Sequence, residues 1–365
     1  MTTALRIAVL ASVAHRTPPR SYGPWEQVAS TLAEGLVGLG HDVTLFATAD
    51  SLTAGRLHSE APTGYEEDIS IDAKVYGGLH IAAAFERAGE FDLMSNQFDF
   101  LPLTYSRLVS TPVVTTIHGF SSEGILPVFR AYDDHSHYVA ISDADRHPDL
   151  GYAATIYHGI DLARFTFVPE PGGYLLFLGR IHPHKGTHLA IEVARRAGMP
   201  LVIAGIVQDE GYFREQVQPQ LGGDITYIGP VGPAERDSLL GGALALLHLI
   251  SFAEPFGLAV VESMATGTPV IAFGLGSMPE LIDHGRTGFL VNDTAGALTA
   301  VSEVGQLPRQ SCRAEAVARF SAERMVADYA ALFAGIVAGE SPVVSRSSNA
   351  ATSRNAKRTE ASLTP

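Results

Sequence analysis

The chain has 365 residues, 46% of them hydrophobic, which is enough to bury the cores of two domains. Its 25 basic and 39 acidic residues leave a net charge of −14, a field that repels nucleic acid and anionic bilayers, so neither is an expected partner and any basic site must be a local pocket. Cys312 is the sole cysteine, which excludes an internal disulfide and a multi-cysteine metal site.

The segment Leu5-Arg6-Ile7-Ala8-Val9-Leu10 reads as a buried strand rather than a secretory leader, because no long apolar run or cleavage site follows it. No apolar segment reaches transmembrane length, so a cytoplasmic protein is expected. A loop through Gly23 leads to a helix across Glu26 to Leu39, the turn Gly40-His41-Asp42 and a strand Val43 to Ala47. Val113-Val114-Thr115-Thr116-Ile117 is a strand ending in His118-Gly119. The run Val168-Pro169-Glu170-Pro171-Gly172-Gly173 is a break, after which the opening plan repeats. The repeat has a strand Tyr174 to Leu178, a loop Gly179 to Gly186, a helix Thr187 to Ala197 and a strand Leu201 to Ala204. Continuous apolar strands alternating with helices imply parallel sheets covered on both faces. A unit that starts twice, half a chain apart, implies an α/β protein of two Rossmann-like doubly wound domains facing a cleft. The expected domains are residues 1–168 and 169–320. Residues 339–365 are rich in Ser, Thr, Asn and Ala and poor in apolar surface, so a disordered tail is expected there. That tail carries four basic and two acidic residues, so the acidity belongs to the folded part.

The stretch Glu254-Pro255-Phe256-Gly257-Leu258, with Glu262 eight positions after Glu254, puts two carboxylates either side of a tight entry into a helix. Glu254 is expected in the loop and Glu262 about one turn inside the helix, with the amides of Gly257 and Leu258 facing a ligand. Helix N-termini attract phosphate, and carboxylates suit vicinal hydroxyls. A nucleotide sugar needs both. The plainer reading is an ordinary helix start with Glu254 as cap and Glu262 in solvent.

The sequence around these glutamates resembles the E-x7-E signature of the GT-B-fold, family 4 retaining glycosyltransferases. Further segments match, so the resemblance covers most of residues 5 to 335. Tyr22-Gly23-Pro24-Trp25-Glu26 resembles the G-G-x-E turn whose amides approach the donor diphosphate, with Pro24 in place of the second glycine and one amide fewer. His118 matches the family's strand-end histidine at the donor sugar. Phe177-Leu178-Gly179-Arg180-Ile181-His182-Pro183-His184-Lys185-Gly186 looks like the G-R-x-x-x-x-K-G loop, in which Arg180 and Lys185 would reach the diphosphate. No buried carboxylate partner for Lys185 is apparent in the sequence. Tyr157-His158-Gly159-Ile160-Asp161 resembles N-G-V-D near the hinge, with His158 for asparagine. Gly276-Ser277-Met278-Pro279-Glu280 resembles the G-G-x-P-E turn and is expected to support the phosphate cradle. A helix over residues 321–338 is expected to cross back onto the amino-terminal domain, as in the family.

The resemblance implies a hexosyltransferase that moves a hexose from a UDP-glucose-like or GDP-mannose-like donor with retention, without metal or cofactor. His118, Arg180, Lys185 and Glu254 would be catalytic. Gly23, Phe256, Gly257, Leu258 and Glu262 would join Arg180, Lys185 and Glu254 around the donor. The acceptor is expected on the amino-terminal domain, at Arg16, Arg20, Asn96 and Asp99. The two arginines would suit a phosphate or carboxylate, and the short interval between His118 and Ser142 favours a small soluble acceptor. His182 and His184 lack a third ligand, so no metal site is expected. Gly274-Leu275-Gly276 lacks the third glycine of a dinucleotide fingerprint, which disfavours a dehydrogenase, and no Walker A sequence occurs. A nucleotide-sugar epimerase or hydrolase of the same fold, or a non-catalytic nucleotide-sugar sensor, are the alternatives.

Overall fold

A computed structural model describes residues 4–120 and 123–340. Seven parallel strands form the first sheet: β1 (Arg6–Leu10), β2 (Asp42–Phe46), β3 (Arg56–His58), β4 (Leu93–Asn96), β5 (Val113–Ile117), β6 (His137–Ala140) and β7 (Tyr152–Thr155). They lie in the order β3-β2-β1-β4-β5-β6-β7. Six parallel strands form the second: β8 (Leu175–Leu178), β9 (Leu201–Ala204), β10 (Ile225–Gly229), β11 (Ala245–His248), β12 (Val270–Phe273) and β13 (Gly288–Val291). Their order is β10-β9-β8-β11-β12-β13. Each is the doubly wound pattern expected of buried apolar strands, and together they make the GT-B architecture.

In each sheet the first strand is central. β1 pairs with β2 on one side and β4 on the other, and β8 likewise lies between β9 and β11. Ile7, Ala8 and Val9 are completely buried, as a strand covered on both faces must be. Strand order reverses at these central strands, and a crevice opens there beyond the carboxyl ends. The helix Pro24–Gly38 begins two residues before its expected start, because Pro24 fits the first helical position, where no amide hydrogen is needed.

The chain passes between the sheets twice, and the two passages lie side by side. The Ile160 amide donates to the Phe320 carbonyl at 2.9 Å, and the Ala322 amide donates back to Ile160 at 2.9 Å. The helix Ala322–Val337 then packs into the amino-terminal core with Met325, Val326, Tyr329, Phe333 and Ile336 against Val28, Leu32 and Leu36. Gly35 permits that approach, since a Cβ there would sit 2.3 Å from Val326 Cγ2. The domains also touch beside the crevice. The Glu280 carboxylate accepts the amides of Asp143 (2.9 Å) and Ala144 (2.6 Å) and the Tyr157 hydroxyl (2.9 Å), and Ser142 Oγ donates to the Pro255 carbonyl at 2.7 Å. Glu280, expected as local support for a phosphate cradle, is therefore also a link between domains. No helix among the described residues is long and apolar enough to cross a membrane. The tail expectation falls almost wholly on residues 341–365, outside the described residues.

Candidate active site

A cleft of about 990 Å³ runs between the two sheets, lined by residues of both domains. His118, Arg180, Lys185, Glu254, Phe256, Gly257 and Leu258 all line it. A smaller recess of about 200 Å³ adjoins it, lined by Gly23, Arg180, Ile206, Val231, Arg236 and Glu262. Residues picked out across more than 200 positions of sequence thus meet in one place.

On the carboxyl-terminal side, the helix Leu258–Ala265 starts at Gly257, whose φ of 95° is left-handed backbone. Glu254 stands in the preceding loop, and Glu262 one turn inside the helix. Gly186 ends the basic loop at φ 73°, and a Cβ there would lie 2.0 Å from the Leu249 carbonyl oxygen, so the loop requires glycine at this point. Lys185 follows the expected loop but not the expected isolation. Its Nζ lies 2.5 Å from Glu254 Oε2, both side chains being only 14% exposed, and 4.8 Å from the Phe252 ring centre. The sequence could not show this pairing, because the partners are 69 positions apart. His248 Nε2 is 3.8 Å from the same Glu254 oxygen, and burial pulls this imidazole down to about 4, so Lys185 is the cation there. Arg180 donates to Gln208 Oε1 at 2.7 Å. Glu262 does not face solvent: Arg236 holds it at 3.2 Å, while burial pushes its carboxyl above the ordinary range against that guanidinium. Phe256 packs beneath the site against Tyr157, His158 and Phe320.

On the amino-terminal side, Gly23 has φ 151° and precedes the helix Pro24–Gly38. His118 follows β5 and is buried, stacked on Trp25 with ring centres 5.5 Å apart. Gln97 spends its amide nitrogen on the hydroxyls of Ser95 (3.0 Å) and Thr116 (2.9 Å), and Thr116 in turn meets the Tyr329 hydroxyl at 2.8 Å. The Gln97 carbonyl oxygen therefore accepts from His118 Nε2 at 2.9 Å. That leaves the His118 Nδ1 lone pair toward His158 Nε2, 3.4 Å away. Burial lowers His118 to about 3 and drives His158 well below its usual value, so both rings are neutral at physiological pH.

The four expected acceptor residues do not line the cleft. Arg20 pairs with Asp50 at 3.1 Å and Glu67 at 3.4 Å, and Arg16 Nε donates to the Pro18 carbonyl at 3.0 Å. Asn96 donates to the Asp99 carbonyl (2.8 Å) and Thr115 Oγ1 (3.2 Å) and accepts from the Phe98 amide (3.0 Å), so its amide is consumed in shaping its own loop. Asp99 has φ 96°, and burial pushes its carboxyl up to about 6. Asp50 and Glu67 take the Arg20 guanidinium, while Glu67 also accepts the Arg16 backbone amide at 3.1 Å. Residues not singled out as ligands do line the cleft: Tyr22, Trp25, Glu26, Tyr65, His158 and His248. Trp25 and Glu26 sat inside a matched segment, and His158 marked itself by replacing asparagine. Tyr65 and His248 carried no local signal. Among the described residues, no group of three or more His, Cys, Asp or Glu is arranged to hold a metal ion.

Comparison with known proteins gives this arrangement its relatives. In solved structures, Anabaena HepE in complex with UDP-glucose is similar over 90% of this chain and 98% of its own, with a TM-score of 0.68 and 18% identity. The chain is 32% identical over 194 residues to glycogen synthase of Mycobacterium tuberculosis, spanning 50% of this chain and about half (46%) of that relative's length. It is 30% identical over 328 residues to the phosphatidyl-myo-inositol mannosyltransferase of Mycolicibacterium smegmatis, covering 80% of this chain and 82% of that protein. The model of the family described as glycosyl transferases group 1 matches residues 162–304, the stretch holding the basic loop and both glutamates. With that match inside a likeness running through both domains, the chain belongs to the glycosyl transferases group 1 family.

Proposed function

We propose that the protein is a retaining, metal-independent hexosyltransferase. It would take a hexose from a nucleoside-diphosphate sugar, UDP-glucose-like or GDP-mannose-like, and pass it to a hydroxyl held against the amino-terminal domain. The observation that carries this reading is the convergence of Arg180, Lys185 and the start of helix Leu258–Ala265 on one side of a cleft whose other side holds Gly23 and His118. The adjoining recess suits the nucleoside: Ile206 and Val231 offer apolar walls to a base, and Glu262, steadied by Arg236, an acceptor for ribose hydroxyls.

The difficult step is departure of a diphosphate from the anomeric carbon while positive charge develops on the sugar. Arg180, Lys185 and the helix amides offset the growing negative charge, each charge-assisted contact contributing about 1.5–3 kcal/mol. Glu254 accepts sugar hydroxyls with the oxygen that Lys185 leaves open. In a front-face route, the bond from the anomeric carbon to the phosphate oxygen breaks while the acceptor oxygen bonds on the same face. The acceptor proton passes to the leaving phosphate, so no protein nucleophile is needed. His118, neutral with Nε2–H given to Gln97 and Nδ1 turned to His158, can border the sugar with its ring but supplies it neither a free lone pair nor charge.

Thermal-shift titration with UDP, GDP and their hexose derivatives tests the donor assignment, since a ligand at a hundredfold over Kd stabilises by about 2.7 kcal/mol. Stabilisation by none of them would overturn it. Product analysis after incubation with donor alone separates the transferase from the alternatives: free hexose marks a hydrolase and an altered sugar an epimerase.

A further inference from the structure

The two basic side chains that line the cleft among the described residues, Arg180 and Lys185, both come from the carboxyl-terminal domain. The facing wall is different in kind. It presents His15, Trp25, Glu26, Tyr65 and Glu66 and no lysine or arginine. The nearby arginines are engaged elsewhere, Arg20 with Asp50 and Glu67, and Arg16 with Pro18. The loop carrying Tyr65 and Glu66 is pinned to this wall through backbone bonds, Tyr65 to Val13 at 3.2 Å and Glu66 to Ala14 at 3.0 Å.

Glu26 is the decisive residue. It is only 3% exposed, lines the cleft, and among the described residues its side chain makes no hydrogen bond or ion pair. Its oxygens are not among the buried side-chain atoms that lack a partner, so the carboxylate opens onto the cleft, with the partial positive charge of the first turn of helix Pro24–Gly38 behind it. The hydroxyls of Tyr22 and Tyr65 lie within its field, but neither bonds to it. Such a group awaits hydroxyl donors from outside the protein. A phosphate or carboxylate in the same place would face Glu26 and Glu66 with no cation on its own side of the cleft.

Resting on the transferase reading, we propose that this wall is the acceptor subsite and that it selects an uncharged polyol ring. The acceptor is a sugar or cyclitol without phosphate or carboxylate, its hydroxyls donating to Glu26 and, at the rim, to Glu66. Trp25, one face of which is covered by His118, forms the adjacent aromatic surface. This reverses the expectation drawn from Arg16 and Arg20.

The test is equilibrium binding to the full chain loaded with whichever nucleotide stabilises it, by calorimetry and saturation-transfer NMR. The probes are glucose and myo-inositol against glucose 6-phosphate and myo-inositol 1-phosphate. Neutral rings are expected to bind at least about tenfold more tightly than their phosphate esters. Glu26→Gln should weaken the neutral ring by about tenfold while nucleotide affinity stays unchanged. Glu66→Lys, an exposed change that does not threaten folding, should strengthen phosphate-ester binding several-fold. Tighter binding of the phosphate esters by the unaltered protein, binding of neither class to the nucleotide-loaded protein, or an unaffected Glu26→Gln variant would each overturn the proposal. Failure of the nucleotide itself to bind would overturn the transferase reading, and this proposal with it, and the nucleotide titration identifies that case separately.

Discussion

Lys185→Ala is the most telling perturbation, because the structure makes its consequence larger than the loss of one contact. The ammonium lies 2.5 Å from Glu254, and both side chains are 14% exposed. On the proposed mechanism, removing it deletes one charge-assisted contact to the departing diphosphate, about 1.5–3 kcal/mol. It also leaves the Glu254 carboxylate next to that diphosphate with only His248 nearby, at 3.8 Å, and that ring is neutral. Both effects act against the transition state. A fall in kcat/KM of at least about a hundredfold is expected, equivalent to about 2.7 kcal/mol. Release of nucleoside diphosphate measures the rate, and circular dichroism reports folding. The pairing makes a second demand: Lys185→Ala combined with Glu254→Gln should bind nucleotide more tightly than Lys185→Ala alone, because the stranded charge is gone. A folded Lys185→Ala protein whose kcat/KM stays within about threefold of the parent would refute the leaving-group role. A double variant that binds nucleotide no better than the single would refute the stranded-carboxylate argument.

On the proposed mechanism activity should survive EDTA, because Arg180 and Lys185, which line the cleft, would offset the leaving-group charge themselves; a complete loss restored by added metal would sink the mechanism. Asp145 gives a pH test: burial, and then Glu280, raise its carboxyl to about 7, so the native state binds a proton that the unfolded chain has released. Stability should therefore fall as pH rises from about 4 to 7, by at most about 1.4 kcal/mol per unit from this group. Asp145→Asn should flatten that slope in denaturant titrations, and an unchanged slope would show that the group is not the cause. Glu280→Ala removes the carboxylate that joins Asp143, Ala144 and Tyr157, so small-angle scattering should show a larger radius of gyration and donor KM should rise. Unaltered scattering would mean that Ser142 and Pro255 hold the domains unaided.

Much of this was legible because it is local. Runs such as Leu201–Ala204 declare buried strands, and the helix Thr187–Ala197 falls within its expected bounds because glycines close both ends. The loop position of Glu254 and the helical position of Glu262 follow from the glycine between them. What escaped was pairing at long range. Lys185 meets Glu254, Glu262 meets Arg236 and Arg20 meets Asp50 through folding of the backbone, and no spacing rule anticipates which carboxylate reaches a cation first. Arg16 and Arg20 show the hazard: basic side chains in an acidic protein suggest an anion site until their neighbours are known. Gln97 was invisible for a related reason. Its importance lies in presenting an acceptor oxygen to His118, a role set by Ser95 and Thr116 rather than by its immediate neighbours in sequence.

The helix Ala322–Val337 gives the protein an order of birth. Its Tyr329 and Phe333 belong to the amino-terminal core, yet the ribosome makes them only after the whole of the other domain. Until they emerge, the nascent first domain carries an open seam along Val28, Leu32 and Leu36, while the second has everything its sheet requires. During synthesis the domain made second is therefore the first able to finish, inverting the usual vectorial sequence. Tyr329 also delivers the hydroxyl that meets Thr116, which positions Gln97 against His118. The carboxyl-terminal wall of the recess can mature on the ribosome, but its amino-terminal wall and the Gln97–His118 pair must wait for the closing helix to dock.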